Sequence, residues 1–414
     1  MEPKRVAITG LGALSPVGLD VASTMDAIYA GRSSAARIEQ FDASAMTTQI
    51  ACEVREFDPT RSMDRKDAKR ADRFCQFAVA AAREALEQSA LHTAGLDLTR
   101  VGVVLGSGIG GMDTFETQHR ILLEKGPARV SPFFVPMMIS DMAAGMVSIQ
   151  YGLKGPNFSA VSACASAANA IATSFLLIQA GHADAMVTGG SEATITPMTM
   201  AGFCSMKAMS ERNDDPATAS RPFDAGRDGF VMGEGAGILV LEELEVARRR
   251  GATIFGELIG FGMTGDAYHM TAPSPDGEGA ARAMAAALRM AGVPPTDVDY
   301  INAHGTSTPY NDKNETQAIK SVFGEHAYRL KVSSTKSMVG HLLGASGGLE
   351  AVITVHILGA GKVPPTINQV QRDPECDLDY VPNRAVACDV RHALSNSFGF
   401  GGHNVSLLFR RYQE

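Results

Sequence analysis

Two stretches of very small side chains, SACASAANAIATS (162–174) and GASGGLEAV (344–352), set the tightest limit on how this chain can fold. Each opens a helix after a glycine- and serine-rich loop. A helix made of Ala, Gly and Ser has little bulk, so it lets a neighbouring backbone approach closely. If the two stretches are related, two such helices could pack closely against each other at the centre. CASAANAIA (164–172) and GASGGLEAV also share a size pattern, and the short strand KVSST (331–335) and a turn precede the second as a similar piece precedes the first. Alanine-rich helices resemble one another, so two readings stand: coincidence, or an internal duplication with its boundary near ARRRGAT (247–253).

Around these helices, short β-rich runs alternate with longer helical ones, which is the pattern of an α/β protein. RVAITGLG (5–12), VGVVLGSG (101–108) and ADAMVTGGSEA (183–193) read as apolar strands ending in glycine or serine turns. ATIFGELIGFG (252–262) and DYINAHGT (299–306) read as strands, and 74–90 and 277–292 as helices. A chain of 414 residues, 45% hydrophobic and 20% charged, can bury a large core. Its net charge of −8 argues against a surface for nucleic acid. No apolar run is read as reaching the roughly 18 residues of a membrane span. The N-terminal MEPKRVAITGLG lacks the apolar core of a signal peptide. The six cysteines are scattered, with no CxxC pair and no metal-ligand spacing. Free thiols without an export signal point to the cytoplasm. GSGIGG (106–111) does not have the GxGxxG spacing of a dinucleotide site.

Small residues explain the helix after position 164 but not the cysteine at its head. A thiol at a helix start faces unpaired N–H groups and the positive end of the helix dipole. Both favour the thiolate, and the expectation is a pKa below the ordinary value of about 8.5. Free cysteine is also a common buried core residue, so partners are needed to decide. Candidates are His304 in NAHGTSTPYNDKNE, Lys336 and His341 in SSTKSMVGHLLGASGG, and the Gly/Phe turn of SNSFGFGGHN with Phe400.

Taken in this order, Cys164, His304, Lys336, His341 and Phe400 make the chain resemble the β-ketoacyl-acyl carrier protein synthases. SRPFDAGRDGFVMGEGAG (220–237) and DAYHMTAPSP (266–275) resemble the synthase II branch of bacterial fatty-acid synthesis, and the likeness runs almost end to end. The resemblance implies a thiolase fold: duplicated halves, here 1–250 and 251–414, in a five-layered αβαβα sandwich, as a homodimer. It implies a decarboxylative Claisen condensation, in which malonyl on acyl carrier protein extends an acyl group held on Cys164 by two carbons. No organic cofactor and no metal are required.

The resemblance also assigns roles. Cys164 is the nucleophile. His304 and His341 stabilise the enolate left by decarboxylation, and Lys336 holds positive charge in the site. The N–H groups of Cys164 and Phe400 form an oxyanion hole, with the Phe400 ring as a gate. Thr306 and Thr308 match positions that bond the pantetheine arm, and Ile109 and Phe203 match acyl-pocket walls. Glu315 and Glu350 are expected to support the histidine and lysine, or a structural cation. Because carrier protein is acidic, Arg65, Lys66, Lys69, Arg70 and Lys207 are candidate docking residues, although Asp64, Asp67 and Asp72 interrupt the first four. Tyr310 and Asn311 depart from the family's small residue and glycine, Phe223 from its tryptophan and His403 from its threonine. The alternatives are a polyketide ketosynthase, a synthase I, or a non-catalytic chain-length-factor subunit.

Overall fold

The computed structural model describes residues 4–413. Its main sheet has ten strands. In chain order they are β1 (Val6–Leu14), β2 (Val101–Gly106), β3 (Asn157–Ala160), β4 (Ala185–Glu192), β5 (Gly235–Glu243), β6 (Gly256–Gly265), β7 (Tyr300–Asn302), β8 (Lys331–Ser333), β9 (His392–Gly399) and β10 (His403–Arg410). The spatial order is β8-β7-β9-β10-β6-β1-β5-β4-β2-β3.

Split between β6 and β1, the order resolves the echo in the sequence. The first five strands run β3-β2-β4-β5-β1 and the last five β8-β7-β9-β10-β6, the same order counted from each half's first strand. The directions agree as well. In each half the first two pairings are parallel and the next two antiparallel. The chain is a duplication, and a short antiparallel pairing of Val6–Ile8 with Gly256–Leu258 joins the halves.

Six helices complete the layers: α1 (Arg73–Ser89), α2 (Met142–Tyr151), α3 (Ser166–Gln179), α4 (Glu278–Ala291), α5 (Pro309–Phe323) and α6 (Ser346–Ala360). Helices α3 and α6 follow the third strand of each half and touch strands of both halves. Their apolar faces form the central core, with Ala168, Ile171, Phe175, Leu349, Val352 and Ile353 buried together. Helices α1 and α2 cover the outer face of the first half, where Phe74, Phe77 and Val147 are buried. Helices α4 and α5 cover the second, over Met284, Leu288 and Ile319. The result is the five-layered thiolase fold, with strands β4 and β5 buried almost throughout because helices cover both their faces.

The small residues do what their size allows. A Cβ built on Gly347 of α6 would lie 3.1 Å from both the Cβ and the N of Ala168 in α3. One expectation needs correcting. Leu343–Ala360 has the length and apolarity of a membrane span, but 83% of it is buried inside the protein, so it is the second central helix. All six cysteines are unpaired.

Candidate active site

The loop between β3 and α3 makes a tight turn that delivers Cys164. Ala163 takes a left-handed backbone, φ 50°, which costs a residue with a Cβ roughly 1–2 kcal/mol. Local bonds hold the turn: Ser162 N–H donates to Ser166 Oγ at 2.9 Å, and Ser166 Oγ–H donates to Ala163 O at 2.6 Å. Cys164 is buried, with its helix starting two residues later.

Against this turn lies the β9–β10 connection. Gly399 must be glycine, because a Cβ there would lie 2.8 Å from Ser162 O and 3.1 Å from Cys164 N. Gly401 and Gly402 have φ of 87° and 74°, values open to glycine at no steric cost. Pressed together, the two turns bring the N–H groups of Phe400 and Cys164 onto the sulfur, where both favour its anion. The Phe400 ring stands 6.4 Å from Phe203 between centroids, over the apolar cluster that also holds Ile109, Leu343 and Cys164.

The second half brings the histidines. Strand β7 ends at Asn302, and His304 follows in a loop held by Glu315 of α5. That carboxylate accepts the N–H of His304 at 2.9 Å, of Gly305 at 2.8 Å and the Asn396 amide at 3.1 Å. Thr306 and Thr308 line the cavity and bond each other at 2.8 Å. His341 lies in the loop before α6, with Nδ1 2.9 Å from Ser346 Oγ. The two imidazoles meet edge to face, 5.3 Å between centroids. Both are held neutral: burial, then Lys336, pushes each well below the ordinary histidine value. Lys336 is buried and ion-paired to Glu350, whose carboxyl burial raises to about 7 against the pull of the lysine.

Cys164 corrects a sequence expectation. Burial pushes its thiol up to about 12, and the charge of Lys336 and the two N–H groups only partly oppose this. Proximity to a helix start does not outweigh removal from water. The resting group is a thiol, and the two neutral imidazoles line the same cavity.

A cavity of roughly 400 Å³ joins these parts, lined among others by Cys164, Phe203, Lys207, His304, His341 and Phe400. Lys336, Ile109 and the Arg65–Arg70 segment do not line it. Arg65, Lys66, Lys69 and Arg70 are exposed on the first half, with Arg70 over the Phe133 ring at 4.3 Å. Tyr310 stands exposed at the mouth, Phe223 stacks on Tyr380 at 4.0 Å, and His403 is exposed outside the cavity. Sequence reasoning missed Ser346, whose Oγ lies 2.9 Å from His341 Nδ1, and Glu192, whose carboxylate accepts the N–H groups of Gly108, Ile109 and Gly344.

The first half thus supplies a thiol with two backbone donors at its sulfur, and the second supplies a pair of imidazoles in the same cavity. That division of labour, on a duplicated thiolase-type fold, defines an acyl-transferring condensing enzyme. Comparison with known proteins agrees. The beta-ketoacyl synthase N-terminal domain matches residues 3–247 and the C-terminal domain residues 255–370. The chain is 57% identical over 413 residues to 3-oxoacyl-[acyl-carrier-protein] synthase 2 of Synechocystis sp., covering 100% of this chain and 99% of that protein. Among solved structures, the ishigamide ketosynthase/chain length factor matches with a TM-score of 0.93 at 35% identity, covering 99% of this chain and 100% of that one. A type II polyketide ketosynthase bound to the hexaketide, in complex with its acyl-carrier protein, matches with a TM-score of 0.91 at 34% identity, covering 100% of both chains. The chain belongs to the beta-ketoacyl synthase family, condensing enzymes of the acyltransferase class.

Proposed function

We propose that the chain is a 3-oxoacyl-acyl carrier protein synthase of the synthase II type. The observation that carries this reading is the contact of Gly399 with the Cys164 turn, which sets two N–H donors at the sulfur, beside a pair of neutral imidazoles. The Cys164 thiol attacks an acyl thioester, its proton passes by way of an imidazole to the departing pantetheine sulfur, and an acyl-enzyme results. Malonyl then loses carbon dioxide. The negative charge moves to its thioester oxygen, where N–H donors of His304 and His341 stabilise it. The enolate carbon attacks the acyl carbonyl, the N–H groups of Cys164 and Phe400 hold the oxyanion, and collapse expels the Cys164 sulfur as a thiolate, which takes a proton from solvent to restore the thiol. Residues 1–250 supply the nucleophile and 251–414 the histidines and lysine.

Acyl carrier protein is the proposed partner. Lys207 at the cavity mouth and the exposed Arg65, Lys66, Lys69 and Arg70 offer it positive charge. We propose a homodimer as well. The helix Met112–Lys125 has one buried residue, Thr114, and the edge strand β3 exposes Phe158. Six unpaired cysteines support a cytoplasmic location. A polyketide ketosynthase would use the same chemistry; identity of 57% to the fatty-acid enzyme against 34–35% to the polyketide ones favours the former. A non-catalytic subunit would have no use for Cys164, His304, His341 and Lys336 together.

The test is intact-mass spectrometry after incubation with acyl carrier proteins of graded chain length, comparing wild type with Cys164→Ala. One acyl mass gained by wild type alone is the expected result. No adduct at any length overturns the reading.

A further inference from the structure

Glu192, the last residue of β4, is fully buried and makes no ion pair among the described residues. Four donors surround its carboxylate. Oε1 accepts from Ser107 Oγ at 3.0 Å and Ile109 N at 3.2 Å; Oε2 accepts from Gly108 N at 2.6 Å and Gly344 N at 2.9 Å. Three donors come from the loop after β2 in the first half, and one from the loop before α6 in the second. Two of the bonded residues, Gly108 and Gly344, are also in backbone contact. A Cβ on Gly344 would lie 2.1 Å from Gly108 N and 2.6 Å from Glu192 Oε2.

What these loops carry gives the bonds a purpose. Ile109 is held by its own N–H, and Gly344 directly follows Leu343. Both Ile109 and Leu343 belong to the apolar cluster around Cys164. We infer that Glu192 is a positioning residue that buckles the two halves together and fixes Ile109 and Leu343 in the apolar cluster around Cys164, so that it sets which acyl chains are accepted. The inference rests on the acyl-transfer reading above.

Glu192→Gln separates positioning from simple loss of structure. With the amide oxygen kept at Oε2, the Gly108–Gly344 seam keeps both bonds. The amide NH2 then replaces Oε1, donates to Ser107 Oγ, and leaves the Ile109 N–H facing another donor. The Ile109 backbone is freed while the seam survives. In acylation by carrier proteins of graded chain length, the ratio of rates for the longest accepted and the optimal chain changes at least threefold. Glu192→Asp shortens the reach and changes the chain-length ratio as well. Ser107→Ala, a milder loosening of the same loop, changes the ratio in the same direction and serves if Glu192→Gln does not fold. A folded Glu192→Gln or Ser107→Ala protein with the wild-type ratio overturns the positioning role. If wild type itself takes no acyl group, it is the acyl-transfer reading that has failed.

Discussion

At the scale of single residues, the thiol and the two imidazoles of the site are kept uncharged beside a buried ion pair. Burial raises the Cys164 thiol to about 12 and lowers both histidines. A thiol whose pKa lies far above neutrality is reactive in proportion to its thiolate fraction, which grows tenfold per pH unit below the pKa. Iodoacetamide should therefore label Cys164 slowly at pH 7, more slowly than free cysteine, with a rate still climbing about tenfold per unit at pH 10. A plateau reached near pH 8 would show that the helix start has won over burial. His341 gives a second expectation. Its Nδ1 is tied to Ser346 Oγ, which fixes the ring and leaves Nε2 for substrate. Ser346→Ala removes one hydrogen bond of about 1–1.5 kcal/mol, and so should slow malonyl decarboxylation about tenfold. Acylation of Cys164 in the same variant should stay within a factor of two or so of wild type, since that step uses the bond less. Carbon dioxide release and acyl-enzyme mass, measured on the same preparation, separate the two steps. Equal losses in both would place Ser346 in general packing.

At the scale of elements, one helix contains two glycines with opposite duties. Gly347 of α6 faces α3, and a Cβ there meets Ser397 Oγ at 2.7 Å and Ala168 at 3.1 Å. Gly359, near the end of the same helix, has nothing within 4 Å. Gly347→Ala forces the central helices apart and should cost about 1–3 kcal/mol. Gly359→Ala only restricts the unfolded chain and favours the helix, and should stabilise by about 0.5–1 kcal/mol. Urea unfolding of both variants checks the pair; the same sign for both would mean that α3 and α6 are not in tight contact. These glycines also mark what could be read in the sequence. Cys164, His304, Lys336, His341 and Phe400 sit in short motifs, because their chemistry needs particular side chains beside glycine and serine turns. The close pairing of α3 and α6 was legible from side-chain size alone. Glu192 was not legible, since its partners Gly108 and Gly344 are backbone groups 84 and 152 residues away. The thiol was misjudged for a related reason: a helix start can be seen in sequence, but the burial that overrides it is made by Phe203, Phe230 and Leu343 from separate segments.

At the scale of the whole molecule, the duplication leaves the two ends of the sheet unequal. Strand β8 ends the second half with Val332 and Ser333 buried, under a segment whose Asp379 accepts the N–H of Val332 at 2.9 Å. Strand β3 ends the first half with its residues half-buried or exposed, Phe158 at 40%, and Val161 just beyond it at 60%. The free edge lies in the half that also contains the nearly unburied helix Met112–Lys125, with Leu123 73% exposed, and Val135 at 56%. A free edge strand rimmed by apolar side chains is a template for another chain, and a second copy related by a two-fold axis offers the same edge running antiparallel. Sedimentation equilibrium of the wild-type protein should give about twice the chain mass of 43.6 kDa. Phe158→Asp with Val161→Glu places two carboxylates on each side of the joint, four buried charges without partners, which the interface cannot accommodate. That double variant should sediment at the chain mass with its far-ultraviolet spectrum unchanged, because neither side chain belongs to the core of its own chain. A wild-type protein already at the chain mass would remove the dimer, and an intact dimer in the double variant would move the contact away from β3.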